Sequence, residues 1–313
     1  MDKTGYDISI LLPFLNEEEN IPHVVAALHD FLHSLKDIKT EVIFIDDGST
    51  DNSVNVLLNE IKSKPLNSKL IKLSRNYGSH AALRAGIMHA GGKHITFYYA
   101  DLQDPVKLVS DLYEKCKDQY DIVWAYRESG HSSFFTKIFS DLYAYLMRKY
   151  AISNFPRYGI DIVMFNEKVK DQLNNNIESN SSVFLQILNF GFHQGNITYK
   201  RGKRKMGKTK WTFSKKLKLF IDSFIAFSYA PIRFISVIGI LLFVMGFAWT
   251  IYILLRTLIY DDLATGWPSL ISILMIGFGI TNISLSIIAE YLWRTLDSSR
   301  KRPVFIIDEI LNL

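Results

Sequence analysis

The sequence predicts an α/β domain with a mostly parallel sheet, followed by an amphipathic helix and two membrane-spanning helices. Three observations carry this. Unbroken apolar runs of strand length alternate with amphipathic helical patterns from Ile8 to Tyr199, which is the signature of strands buried on both faces by crossover helices. Polar clusters recur where those runs end. Long uncharged stretches, Phe234 to Leu255 and Pro268 to Ala289, then follow Arg233, and each reaches the roughly 20 residues that a bilayer requires.

Taken in order, Ile8–Leu15 reads as a strand, and Asn16–Leu35 as a helix with an acidic first turn. Glu41–Ile45, Lys69–Leu73 and Ile95–Tyr99 read as the next strands. Helices Ser53–Lys62, Ser79–Ala90 and Val106–Lys117 alternate with them, the last begun by Pro105. Asp121–Ala125 is a further strand. Phe134–Tyr150 reads as an aromatic-rich helix, Ile162–Phe165 as a strand and Asn174–Ser182 as an Asn/Ser-rich loop. Ser182–Phe190 reads as a helix, Asn196–Tyr199 as a strand and Pro303–Ile307 as a short returning strand. The domains expected are residues 1–212 for the sheet domain and 213–231 for a helix lying in the membrane interface. Residues 232–293 hold the two spans, at about 234–255 and 268–289, and 294–313 form a tail.

Composition narrows the function classes. The chain has 313 residues, 48% hydrophobic content, mean hydropathy +0.08 and net charge +5. Its basic residues cluster beside the uncharged runs, which suits anionic lipid or phosphate better than a nucleic-acid duplex. The one cysteine, Cys116, excludes an internal disulfide and a Cys-based zinc site, and fits a reducing compartment. No signal peptide is expected, because the apolar run Ile8–Leu12 is short and soon meets Glu17-Glu18-Glu19. The dinucleotide fingerprint and the P-loop are both absent.

Asn16-Glu17, Asp46-Asp47, Arg75-Asn76, Asp101-Gln103 and Arg127 all fall at strand ends. In an open α/β sheet that edge binds ligands. Asp101 and Gln103 offer a carboxylate and an amide oxygen two residues apart, a pair suited to Mg²⁺ or Mn²⁺ that also binds substrate phosphates. The plain alternative for Asp101 is an N-cap before the Pro105 helix. Gly78 permits close backbone approach, and the helix start after it can face an anion. Carboxylates for ribose or base and a metal for the diphosphate describe a nucleotide-sugar pocket. Asp161 is either a turn residue or a site carboxylate. Lys200, Arg201, Lys203, Arg204, Lys205, Lys208 and Lys210, with Gly202 and Gly207, form a basic loop that attracts lipid, clamps phosphate, or does both.

Phe213–Tyr229 carries Leu217, Phe220, Ile221, Phe224 and Phe227 on one side and Lys215, Lys216 and Lys218 off it, a pattern for an interfacial helix. The link Thr257–Trp267 has Asp261 and Asp262 but no Lys or Arg, whereas Arg294, Arg300, Lys301 and Arg302 follow the second span. The positive-inside rule puts both termini in the cytoplasm and the link outside.

Pro13-Phe14-Leu15-Asn16-Glu17, Asp46-Asp47-Gly48-Ser49, Ser74-Arg75-Asn76-Tyr77-Gly78, Ala100-Asp101-Leu102-Gln103-Asp104-Pro105 and Arg204-Lys205-Met206-Gly207-Lys208-Thr209-Lys210 resemble the polyprenyl-phosphate glycosyltransferases. These are family-2 inverting enzymes related to dolichol-phosphate mannose synthase and bactoprenol glucosyltransferases. The resemblance covers nearly the whole chain. It implies a GT-A domain that takes a nucleotide-diphosphate sugar, UDP-linked by analogy with bacterial members, and a polyprenyl phosphate such as undecaprenyl phosphate as acceptor. It implies a bacterial inner-membrane enzyme of cell-envelope glycan modification, with association into homo-oligomers as in some relatives. By position, Pro13, Leu15, Asn16, Glu17, Asp46, Asp47, Arg75, Asn76, Gly78, Ala100 and Asp101 are expected at the nucleotide sugar. Asp101 and Gln103 are expected at the metal, and Asp161, Arg127, Arg204 and Lys210 at the transfer chemistry. Two departures stand out: Tyr99-Ala100-Asp101 replaces the family's frequent Asp-x-Asp, and only Asp161 matches a second acidic motif near Tyr158-Gly159-Ile160.

Two other readings compete. A processive polysaccharide synthase would share the donor domain, but the Gln-x-x-Arg-Trp motif is missing and two spans are few for a polymer channel. A membrane-anchored scaffold with a decayed site is favoured by Tyr99 and opposed by Asp101-x-Gln103 and the basic loop. Donor-dependent release of nucleoside diphosphate separates an enzyme from a scaffold.

Overall fold

A computed structural model describes residues 5–35, 37–128, 134–152, 155–156, 160–178, 182–200, 202, 266–299 and 303–313, and part of 234–259. One eight-stranded mixed sheet organises them. Its strands are β1 (Ile8–Phe14), β2 (Thr40–Asp46), β3 (Ser68–Leu73), β4 (His94–Phe97), β5 (Ile122–Arg127), β6 (Ile160–Asn166), β7 (Gln194–Tyr199) and β8 (Ile307–Asn312). The spatial order is β7-β5-β6-β4-β1-β2-β3-β8. Strands β1 to β5 and β7 share one direction, while β6 and β8 run against their neighbours. This is the α/β architecture of a GT-A domain, with a mostly parallel sheet.

Period-two alternation splits the core between two faces. Leu11, Ile43 and Ile45 face α3 (Ser79–His89), α5 (Phe134–Tyr150), α6 (Glu167–Asn175) and α7 (Val183–Asn189). Ile10, Leu12, Val42 and Phe44 face α1 (Ile21–Ser34), α2 (Ser53–Ser63) and α4 (Leu108–Gln119). Cys116 is one of those buried packing residues, and burial pushes its thiol up to about 12.

The structure moves several expected boundaries. Helix α1 begins at Ile21, with Pro22 in its first turn, so Glu17 to Glu19 lie in the preceding turn. Asn16, at φ 51°, stops the chain from entering the helix earlier. Asn174 and Asn175 close α6 instead of opening a loop. Asp161 lies inside β6 rather than before it. The largest correction concerns the C-terminus. Residues 294–299 belong to a long helix, α8 (Trp267–Ser299), and Ile307–Asn312 pairs with β3. The last residues are therefore an edge of the catalytic sheet rather than a separate tail.

Among the described residues, one helix is long and apolar enough to cross a membrane: α8, over Ile276–Trp293. The described residues between 234 and 259 are helical. The expected interfacial helix at 213–231 lies outside the described residues, as do Asp261 and Asp262.

Candidate active site

Strands β1 and β4 are neighbours, yet the chain builds outward from them in opposite directions. That reversal opens a crevice at their carboxyl ends, the usual ligand position in such sheets. Asn16 and Glu17 follow β1 and Asp101 follows β4, so they flank it. Arg127 ends β5 at the same edge. Because β6 runs antiparallel, its first residues, including Asp161, start there. Strand β7 ends there too and leads into the basic loop at Lys200.

Backbone-to-side-chain bonds join the loops after β1, β2 and β3. The Asn16 amide donates to Ser49 Oγ at 3.0 Å, and Asn16 Oδ1 accepts from the Thr50 amide at 2.8 Å. The Glu17 amide donates to Ser53 Oγ at 2.8 Å, while Glu17 Oε2 accepts from Asn20. Asp46 Oδ1 accepts from the Ser49 amide at 2.9 Å. Asp47 is buried, and its carboxylate accepts from the amides of Tyr77 at 2.7 Å and Gly78 at 2.9 Å. Burial pushes the Asp47 carboxyl above its ordinary value, against the opposing pull of those two amides. Asp47 therefore holds the Arg75–Gly78 loop in place.

Gly48 sits where the β2 and β3 loops touch. Its φ is +74°, and a Cβ there would lie 2.5 Å from the Arg75 carbonyl carbon, so no other residue fits. The Arg75 guanidinium stacks on the Tyr77 ring at 4.5 Å. Arg75 and Asn76 are exposed, whereas Pro13 and Ala100 are buried and Leu15 is half-buried. The last three shape the backbone beneath the crevice.

The Asp101 segment is a tight turn. The Gln103 amide donates to Asp101 Oδ1 at 3.3 Å, and Leu102 between them has φ 53°. A bulky residue in the left-handed region costs free energy, so the contacts around the turn must hold it there. Buried Asp104 anchors it: Tyr199 donates its hydroxyl to Asp104 Oδ1 at 2.7 Å, and Tyr98 donates to the Asp104 carbonyl at 3.0 Å. The Gly202 amide donates to the Gln103 carbonyl at 2.7 Å. The basic loop thus starts on the Asp101–Gln103 turn. Arg204 and Lys210 lie outside the described residues, as do Tyr158 and Gly159.

Sequence reasoning missed the residues that hold the site together. Ser49, Thr50 and Ser53 lock the first two loops, and Tyr199 braces the third. The Asp46-Asp47-Gly48-Ser49 run carries a turn signal for the serine and threonine contacts, but nothing local in Tyr199 announces its bond to Asp104.

This arrangement is that of a family-2 glycosyltransferase domain. Residues 9–170 match the family model "Glycosyl transferase family 2". The chain belongs to that family and is a glycosyltransferase. It is 33% identical over 302 residues to the uncharacterized glycosyltransferase YkcC of Bacillus subtilis, covering 96% of this chain and 93% of the relative. It is 27% identical over 310 residues to undecaprenyl-phosphate 4-deoxy-4-formamido-L-arabinose transferase of Proteus mirabilis, covering 98% and 94%. The resemblance to the polyprenyl-phosphate glycosyltransferases is borne out by these matches. Among solved structures, mannosyl-3-phosphoglycerate synthase from Rubrobacter xylanophilus superposes with TM-score 0.47 at 13% identity, covering 69% of this chain and 71% of that one.

Proposed function

We propose that the enzyme transfers a sugar from a nucleotide-diphosphate donor, UDP-linked and with glucose as the first candidate, to a polyprenyl phosphate such as undecaprenyl phosphate. The carrying observation is the Gly202–Gln103 backbone bond, which starts the basic loop beside the Asp101–Gln103 turn. It supports a reading in which a diphosphate at the turn and a phosphate under the loop are neighbours. The Proteus mirabilis relative, whose name carries undecaprenyl phosphate, supports the acceptor class.

The acceptor needs little help to become a nucleophile. A phosphate monoester has a second pKa of about 6 and is largely ionised at neutral pH. One of its oxygens bonds to the anomeric carbon while the bond to the nucleoside diphosphate breaks, and the departing oxygen keeps the electron pair. Attack from the opposite face inverts the centre. Arg127, Arg204 and Lys210 hold the incoming phosphate in line, and Asp161 orients a sugar hydroxyl or that phosphate. Asn16, Glu17, Asp46, Arg75 and Asn76 surround the nucleoside, on loops that Asp47 and Gly48 keep together.

Asp101 and Gln103 suit Mg²⁺ or Mn²⁺. Both donors are oxygens on one turn that Leu102 holds bent. Among the described residues no group of three or more His, Cys, Asp or Glu side chains could enclose an ion, so donor oxygens and water would complete the shell. Such an ion, when bound, neutralises charge on the leaving diphosphate.

Membrane topology has independent support. Strand β8 shares a sheet with β1 to β7. Any membrane crossed between Tyr199 and Ile307 must therefore be crossed an even number of times. If α8 crosses once, another crossing precedes it, within residues 200–266, as the uncharged run at 234–255 requires. Both termini then lie on one side of the membrane, which the basic flanks of the uncharged runs assign to the cytoplasm of a bacterial cell. A reporter after Leu313 is expected to read cytoplasmic and one near Asp262 external; the reverse at either site refutes this topology.

The deciding experiment is a screen of radiolabelled nucleotide sugars with undecaprenyl phosphate in detergent. Donor-dependent formation of a lipid-extractable sugar phosphate is expected. Polymer formation would favour a processive synthase, and the absence of any donor turnover would favour a scaffold.

A further inference from the structure

The last strand reaches the donor side of the crevice from beyond the membrane helix. Leu73, the final residue of β3, pairs with Ile307, the first of β8, at a register shift in the ladder. One step further, the Ser74 amide donates to the Ile306 carbonyl at 3.0 Å. Ser74 opens the loop that carries Arg75, Asn76, Tyr77 and Gly78. Ser74 Oγ and the Tyr77 hydroxyl are hydrogen-bonded at 3.0 Å, and Phe305, Ile307 and Tyr77 pack against one core cluster. The hydrogen bond from Ser74 first, and then the Arg75 side chain, lower the Tyr77 hydroxyl from its ordinary value. The same loop is gripped from its other side by Asp47.

We propose that Phe305–Ile307 is a positioning element of the donor site, holding the Ser74–Gly78 loop against Asp47, so that nucleotide affinity depends on residues following the membrane helix. This rests on the donor reading above. The plain alternative is that β8 only covers the open edge of β3, a common need of sheets. Strand β8 buries little of itself, with Asp308, Glu309 and Ile310 exposed, and its ion pairs to Lys72 involve partly exposed side chains. An edge cover would act uniformly along its length, whereas a positioning element acts where it meets the loop.

The geometry also limits the height of the loop above the bilayer. From Ser299 to Ile306 the chain spans at most about 25 Å, at roughly 3.5 Å per residue. The helix runs on for about 9 Å beyond Trp293 at 1.5 Å per residue. Ser74 is thus tethered within about 35 Å of the point where the apolar run of the helix ends.

The test compares Phe305→Ala with Leu311→Ala in the full chain in detergent. Leu311 packs at the far end of the same strand, against the opposite face's core. Both variants lose apolar packing. Binding of UDP with Mn²⁺ is measured by calorimetry, and amide exchange at Tyr77 and Gly78 by mass spectrometry. Phe305→Ala is expected to weaken UDP binding at least fivefold and to speed exchange at both amides at least tenfold. Leu311→Ala should leave both within twofold of the parent. Equal effects of the two substitutions, or unchanged exchange in Phe305→Ala, would overturn the proposal. Failure of the intact chain to bind UDP would instead sink the donor reading, while the exchange data still judge the strand.

Discussion

The backbone amide of Gly202 donates to the backbone carbonyl of Gln103 at 2.7 Å. The bond joins the chain's most basic segment to its most metal-like turn, across three intervening strands and several helices. Because it uses backbone on both sides, it survives side-chain substitution at either residue. Variants of Asp101, Gln103 and Arg204 therefore report on chemistry with the loop's origin unchanged.

Asp101 supplies the carboxylate of this turn. Asp101→Asn is expected to keep the fold, since an amide oxygen can still accept from the Gln103 amide, and to abolish transfer. Gln103→Ala should raise the metal concentration needed for half-maximal rate. Full activity of Asp101→Asn, or a rate unaffected by EDTA, would remove the metal from this site.

Gly48→Ala tests the contact between the β2 and β3 loops. The added methyl would meet the Arg75 and Asn76 backbone at 2.5 to 2.8 Å, and alanine is strained at this φ. Displacing the Arg75–Gly78 loop should lower kcat/KM for the donor at least tenfold, or about 1.4 kcal/mol, mainly through KM. A donor KM equal to the parent's would show that the loop does not meet the nucleotide.

His80, in the first turn of α3, sets a pH dependence of stability. Among the described residues its Nδ1 is buried without a hydrogen-bond partner. Its ring packs edge-on to Phe184, 5.7 Å between centroids. Burial first, and then the nearby Arg84 guanidinium, lower its pKa from 6.5 to about 4. The unfolded histidine takes up its proton before the folded one does. The contribution is intact above about pH 6.5 and is lost as pH falls toward 4, with about 2 kcal/mol gone by pH 5. His80→Gln has no such proton. The wild-type melting temperature should fall further between pH 7 and pH 5 than that of His80→Gln, and parallel falls would refute the assignment.

The sheet was legible because β1, β2 and β4 are mostly buried and read as apolar runs, and β3 sets Leu70, Ile71 and Leu73 among half-buried lysines. Their carboxyl-end clusters follow from that pattern, and so does most of the site. Strand β8 was misplaced because Ile307–Asn312 contains Asp308 and Glu309 and is largely exposed, so it carries little hydrophobic signal. The direction of β6 was equally hidden, since an apolar run does not reveal whether it runs with or against its neighbours. That direction is what brings Asp161 to the edge where the other strands end. Asp47 was legible as a candidate at the sheet's edge, but its use as a clamp on Tyr77 and Gly78 depends on contacts thirty residues away.

The basic loop separates a lipid-attracting role from a phosphate-clamping one. If Lys200 to Lys210 only attract anionic lipid, their charges are interchangeable and each contributes on the order of 1 kcal/mol near a charged surface. Arg204→Ala, Lys205→Ala and Lys210→Ala would then weaken membrane association alike and spare turnover in detergent. If the loop grips the reacting phosphates, position matters. Gly202 fixes the loop's origin at the Asp101–Gln103 turn, and Arg204 follows two residues later. A guanidinium can give a phosphate two parallel hydrogen bonds that an ammonium cannot reproduce, so Arg204→Lys should also be impaired. Arg204→Ala and Lys210→Ala are expected to lose most activity on a short-chain soluble acceptor, with Lys205→Ala near the parent. Steady-state kinetics of these variants in detergent without anionic lipid decide the matter, and equal, small effects at all three positions would leave the loop with lipid attraction alone.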